Sequence, residues 1–220
     1  YIYSVEYGRV TDTVRGHDDA ISCLCWNDGI LVTASWDSTV KVWRFVPDCG
    51  GRKSTSPELL TELDHDTEVN SVDLHPTNTL VVTGTTDGHV LLWNIDKRII
   101  INQHEGHGST VHTVAFSPDG QRILSCGADQ CIRVLDVQTG TELYLKDLDD
   151  EIRCAVWDGQ LVMAGGSSGQ LHIWNLLNDQ EVQRVDGHQG PIRCVDVSRD
   201  GMTVATGGDD NQVILWKIAV

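Results

Sequence analysis

The 220-residue sequence has no run approaching the roughly 18 to 20 apolar residues that cross a bilayer as a helix. Its opening lacks the basic, apolar and small-residue order of a secretory signal. Positive charge is scarce: 16 Lys and Arg stand against 32 Asp and Glu, a net charge of −16. That is the wrong sign for the phosphate contacts of nucleic-acid binding, and it disfavours anionic membrane surfaces. The seven cysteines are odd in number and form no close-set framework, which excludes a disulfide scaffold and suits a reducing, cytoplasmic compartment. Helical periodicity is missing throughout. An initiator Met is also missing, and a chain opening Tyr1-Ile2-Tyr3 is expected to be a segment of a longer polypeptide.

What is present is a repeat. Trp43, Trp93, Trp174 and Trp216 each close a run of alternating apolar and polar residues, and Asp37, Asp87 and Asp210 stand six residues before three of them. A further run, 127–135, keeps Asp129 but has Leu135 in the Trp position, while 167–174 keeps Trp174 but has Ser168 for Asp. Upstream lie the markers Gly16-His17, Asp64-His65, Gly106-His107 and Gly187-His188, spaced by 48, 42 and 81 residues. The last gap holds two repeats, the hidden one with Leu148 in the His position. Four residues after each marker stands Ile21, Val69, Val111, Ile152 or Ile192, each β-branched and expected to point into the core.

Five repeats follow, at about 9–43, 59–93, 99–135, 141–174 and 181–216. Each reads as four short strands separated by Gly and Asp turns, the pattern of an all-β propeller whose blades stack on their neighbours. Residues 1–6 fall on the third strand of an earlier blade, and the strand sets are expected to number two, then four sets of four, then three. A closed seven-bladed ring at this period needs about 290 residues. The Gly-, Ser- and Pro-rich stretch 47–58 is expected to be a mobile insertion, with Ser56-Pro57 a candidate for phosphorylation.

These markers resemble WD40 repeats over nearly the whole chain. The resemblance implies a hydrogen-bonded tetrad in each blade: His17, Thr33, Asp37 and Trp43; His65, Thr83, Asp87 and Trp93; His107, Ser125 and Asp129 without a Trp; and His188, Thr206, Asp210 and Trp216. Repeat four replaces His, Thr or Ser, and Asp by Leu148, Ala164 and Ser168, as if the polar set were kept or dropped as a unit. A His–Asp pair invites a catalytic reading. Its recurrence in four repeats argues for scaffold, and no nucleophile with a base lies outside the repeat pattern. No cofactor is called for.

Other tempting residues read as structure. Cys23 and Cys25 form a C-x-C pair within one strand, with no second pair to complete a metal site. Cys23, Cys154 and Cys194 share one position and are expected to be buried and inert. The run Gly165-Gly166-Ser167-Ser168-Gly169 joins two strands and has no following Lys, unlike a phosphate loop.

In WD40 proteins the residues flanking marker-plus-four, with the one before the turn Asp, commonly contact partners. Here they are Ala20, Ser22 and Trp36; Glu68, Asn70 and Thr86; Thr110, His112 and Ala128; Glu151, Arg153 and Ser167; Pro191, Arg193 and Asp209. Trp36 is either a binding anchor or packing for the adjacent blade. Arg153 and Arg193 either receive a carboxylate-bearing peptide or pair with Glu151 and Asp209.

The stretches 3–26, 33–43 and 117–140 further resemble the carboxy-terminal propeller of BEACH-WD40 proteins. That resemblance implies a non-catalytic adaptor with BEACH and PH-like domains before Tyr1. It would dock a segment of the tumour necrosis factor receptor's cytoplasmic tail, couple it to neutral sphingomyelinase activation and ceramide production, and reach the inner face of the plasma membrane through partners. The alternative is a WD40 platform of another assembly, such as a ubiquitin-ligase substrate receptor or a vesicle-trafficking scaffold.

Overall fold

The fold was analysed in a computed structural model that describes residues 1–45, 57–175 and 180–218. Most of the insertion 47–58, with Ser56 and Cys49, lies outside the described residues. The described chain is all strand and turn. Strands β1 (Ile2–Ser4) and β2 (Arg9–Asp12) form an antiparallel ribbon. Blade 1 comprises β3 (Ile21–Asn27), β4 (Ile30–Ser35), β5 (Thr39–Arg44) and β6 (Glu58–Asp64). Blade 2 comprises β7 (Val69–Leu74), β8 (Leu80–Thr85), β9 (Val90–Asn94) and β10 (Ile99–His104). Blade 3 comprises β11 (Val111–Phe116), β12 (Arg122–Gly127), β13 (Cys131–Asp136) and β14 (Glu142–Asp147). Blade 4 comprises β15 (Ile152–Asp158), β16 (Leu161–Gly166), β17 (Gln170–Asn175) and β18 (Gln180–Asp186). Blade 5 comprises β19 (Ile192–Val197), β20 (Thr203–Gly208) and β21 (Val213–Lys217).

Every sheet is an antiparallel meander, and the first strands of successive blades lie side by side. This is part of a β-propeller, the architecture the repeats predict. The sequence repeats straddle the blades by one strand: 59–93 begins on β6, the outer strand of blade 1, and ends on β9 of blade 2.

Four apolar clusters fill the spaces between successive blades, as where Val32, Val40 and Val42 of blade 1 meet Val69, Val72 and Leu74 of blade 2. The marker-plus-four residues Val69, Val111, Ile152 and Ile192 are fully buried there. Ile21 departs from that expectation. It is 54 % exposed, with the exposed Leu24 and Trp26 on the same strand, β3. Val213 and Leu215 of blade 5 are exposed as well. The cysteine expectation holds for one of its three positions: Cys154 is buried, which pushes its thiol up to about 12, but Cys23 is only partly buried and Cys194 is exposed.

Two local devices recur. In all five first strands the pairing register shifts at the residue five after the marker position, giving a β-bulge at Ser22, Asn70, His112, Arg153 and Arg193. A bulge re-aims the side chain it carries. The residue after each turn Asp or its replacement adopts left-handed φ: Ser38, Gly88, Gln130, Gly169 and Asn211. At Gly88 a Cβ would also lie 2.5 Å from the carbonyl oxygen of His107, so this turn requires glycine on two counts.

The burial difference gives a direct test. Ile152→Ala should destabilise the fold by about 2 to 5 kcal/mol, and the equivalent Ile21→Ala by under about 1 kcal/mol, in chemical denaturation of the chain.

Candidate partner-binding face and the histidine networks beneath it

Each histidine marker sits in the loop between the outer strand of one blade and the first strand of the next. In blade 1 the indole N–H of Trp43 donates to Thr33 Oγ1 at 3.0 Å, and Thr33 meets His17 Nε2 at 2.7 Å. His17 Nδ1 lies 2.9 Å from Asp37 Oδ2. Burial pushes the Asp37 carboxyl up, but hydrogen bonds from Thr39, the Asp18 N–H and His17 outweigh it and hold the group well below its usual range. Blade 5 repeats the whole relay through Trp216, Thr206, His188 and Asp210. Blade 3 repeats it through Ser125, His107 and Asp129, with Leu135 in place of the indole.

Blade 2 retains all four residues and does not make the tetrad. His65 Nε2 meets Thr83 Oγ1 at 2.9 Å, but Nδ1 turns to the carbonyl of Leu63, and the buried Trp93 N–H has no acceptor among the described residues. Asp87 bonds Thr85 and His89 instead. The cause lies one residue before the histidine. Where the indole reaches its hydroxyl, the ring edge rests on the Cα of Gly16 or Gly187, and a Cβ on Gly16 would lie 2.5 Å from Trp43. Blade 2 has Asp64 there, so the ring cannot take that position. Trp93 instead packs against the His65 ring, centroids 4.9 Å apart.

Blade 4 corrects the expectation that the polar set is dropped as a unit. Asp150, two residues after Leu148, reaches into the site and accepts hydrogen bonds from the Ser167 hydroxyl at 2.9 Å, the Ser168 hydroxyl and the Ser168 N–H. Its Oδ2 lies 3.2 Å from Nε2 of the fully buried His172 on β17. Burial pushes the Asp150 carboxyl up, but these partners bring it below the usual range. The His–Asp pair is thus rebuilt from different positions, and His172 stacks on Trp174. Asp150 and His172 fall off the marker spacing; the only sequence signal for them is a histidine two residues before Trp174 where no other repeat has one.

Above these networks lie the candidate partner residues. One backbone bond recurs in all five blades: the residue before the turn Asp donates its N–H to the residue three after the marker. The pairs are Trp36 to Ala20, Thr86 to Glu68, Ala128 to Thr110, Ser167 to Glu151 and Asp209 to Pro191, at 2.8 to 3.0 Å. The bulge residues then link blade to blade. Ser22 Oγ donates to the Val69 carbonyl at 2.5 Å, Asn70 Nδ2 to the Val111 carbonyl at 3.4 Å, and His112 Nε2 lies 2.8 Å from Glu151 Oε1.

Both readings of Trp36 hold part of the geometry. Its indole N–H donates to Asn70 Oδ1 of blade 2 at 3.2 Å, yet the side chain is 49 % exposed. Both arginines make internal pairs. Arg153 pairs with Glu151 at 3.1 Å, and Arg193 grips Asp209 with two bonds of 2.8 and 2.6 Å. The Arg193 bonds hold the Asp209 carboxyl below its usual range.

The profile of the family "WD domain, G-beta repeat" matches residues 8–44, 57–94, 99–136 and 179–217, skipping the stretch that carries the rewired blade 4 network. The chain is 28 % identical over 229 residues to Autophagy-related protein 16 of Arabidopsis thaliana, covering 98 % of this chain and 43 % of that protein. It is 26 % identical over 214 residues to WD repeat-containing protein SL1-17 of Schistosoma mansoni, covering 93 % and 68 %. It is 30 % identical over 208 residues to a guanine nucleotide-binding protein subunit beta of Zea mays, covering 86 % and 53 %.

The wiring predicts unequal mutational costs. Trp43→Phe removes a bonded N–H and Trp93→Phe an unbonded one, so the first should cost about 1 kcal/mol more in denaturant unfolding. Burial pushes His65 down to about 4, below its value in the unfolded chain. The folded state therefore binds fewer protons, and stability should fall as pH drops from about 6.5 towards 4. His65→Gln should flatten that part of a stability–pH curve.

Proposed function

The chain belongs to the WD40 family, and from that membership we propose that it is a non-catalytic scaffold that holds a protein segment on the face carrying Trp36. The observation that carries this reading is Trp36 itself, an exposed aromatic whose N–H is already tied to Asn70. A side chain fixed before binding loses little entropy on contact, which makes it an effective anchor. The non-catalytic part is supported by the histidines. His107 and His188 are buried, and the Ser125 and Thr206 hydroxyls that meet their Nε2 atoms are buried with them, out of reach of a substrate.

Within that role the finer reading is an adaptor for the tumour necrosis factor receptor's cytoplasmic tail, coupling it to neutral sphingomyelinase activation and ceramide production. Its support is the resemblance of 3–26, 33–43 and 117–140 to the factor associated with neutral sphingomyelinase activation, a BEACH-WD40 protein. The second reading, a platform in another assembly, draws on the spread of relatives, which bear names as different as Autophagy-related protein 16 and G-protein subunit beta. The chain spans only 43 % of the first of these and 53 % of the second.

A pull-down with the immobilised receptor tail separates them. The adaptor reading expects capture that weakens by about tenfold with Trp36→Ala. Capture unchanged by Trp36→Ala removes the site, and no capture of the unaltered chain removes the adaptor role.

A further inference from the structure

The face is electrostatically lopsided. Around blades 3 to 5 three of its carboxylates have a basic partner: Glu151 pairs with Arg153, Asp209 with Arg193, and Asp149 with Arg184, while Asp147 has no ion pair among the described residues. Around blades 1 and 2 the loops 13–20 and 64–70 carry Asp18, Asp19, Asp64, Asp66 and Glu68 against one basic residue, Arg15. All five carboxylate residues are exposed, and none has an ion pair among the described residues.

Trp36 stands between these loops. The Ala20 carbonyl takes its backbone N–H, the Asp18 N–H bonds the neighbouring Asp37, and Asn70, two residues after Glu68, takes the indole N–H. With its polar edge occupied, what the ring offers a partner is its negative π face, which attracts ammonium and guanidinium groups. Ala20 and Thr86, in flanking positions, are too small to bring a cation of their own.

We propose that the segment docked at Trp36 is basic, placing a Lys or Arg side chain on the indole with Asp18, Asp19, Asp66 and Glu68 around it. This rests on the scaffold reading above and adds the chemistry of its partner. An acidic segment directed at Arg153 and Arg193 would first have to displace Glu151 and Asp209 from existing pairs. The net charge of −16 steers a basic partner in the same sense, over the whole surface.

The probe is a fluorescein-labelled peptide alternating Gly with Arg and Lys, compared with one carrying Glu in the charged positions, by fluorescence anisotropy at about 0.15 M salt, where long-range attraction is screened. The basic peptide should bind more tightly than the acidic one, and Trp36→Ala or Glu68→Lys should each weaken it by about threefold to fivefold. Trp36→Phe, which keeps a π face, should retain most of the affinity, and circular dichroism melts confirm that each variant folds. Glu58→Lys on the outer strand of blade 1 reverses the same charge away from the face and should change binding less than twofold. If Glu68→Lys and Trp36→Ala do no more than Glu58→Lys, attraction is non-specific and the proposal fails. If instead the acidic peptide binds and Arg193→Gln abolishes it, the scaffold reading stands and the basic partner is wrong. If no variant on the face alters either peptide, both fail.

Discussion

A four-stranded sheet of short strands has two apolar faces and can cover neither by itself. Blades 2 to 4 solve this by burying one face on the blade before and the other on the blade after. The same sequence position therefore has opposite fates according to neighbours: Ile152 is fully buried between blades 3 and 4, while Ile21 stands exposed. Cys154 and Cys194 show the same contrast.

The histidine networks follow from that packing but are not fixed by it. The residues of a relay can all be present and still not connect, as in blade 2, where one Cβ on Asp64 occupies the place that lets Trp43 and Trp216 reach their hydroxyls. An orphaned buried N–H costs about 1 to 3 kcal/mol, partly offset there by ring contact with His65. Blade 4 shows the converse. With Leu148 and Ala164 in the usual places, an acid and a histidine from other positions make a new pair around Ser167 and Ser168. The constraint is electrostatic: a buried carboxylate such as Asp150 needs donors, and their place in the chain matters less than their reach.

The strands and turns were legible because they depend on period-two alternation and on turn residues, both local in sequence. The relays of blades 1, 3 and 5 were legible through the WD40 resemblance that the repeated markers carry. The wiring of blade 2 was not, since it turns on Asp64 standing where the connected relays of blades 1 and 5 have Gly16 and Gly187, 29 positions before Trp93. The β-bulges escaped too. Alternation places marker-plus-five on the opposite side from marker-plus-four, but the register shift that follows, at Ser22 or Arg193 alike, leaves no mark in residue type.

That silence has a functional side. The bulge and the backbone bond beneath it are the same in five blades whether the side chains are Ser22 and Trp36 or Arg193 and Asp209. Because this main-chain geometry recurs whatever side chains it carries, the residues of the face can differ at the cost only of the side-chain bonds between blades, such as those of Ser22 and Asn70. The difference between a self-neutralised sector at Arg153 and Arg193 and an unneutralised one at Trp36 and Glu68 is then a property of the side chains alone. A face built this way can change its partner by substitution at a few bulge and turn positions while the blades below remain as they are.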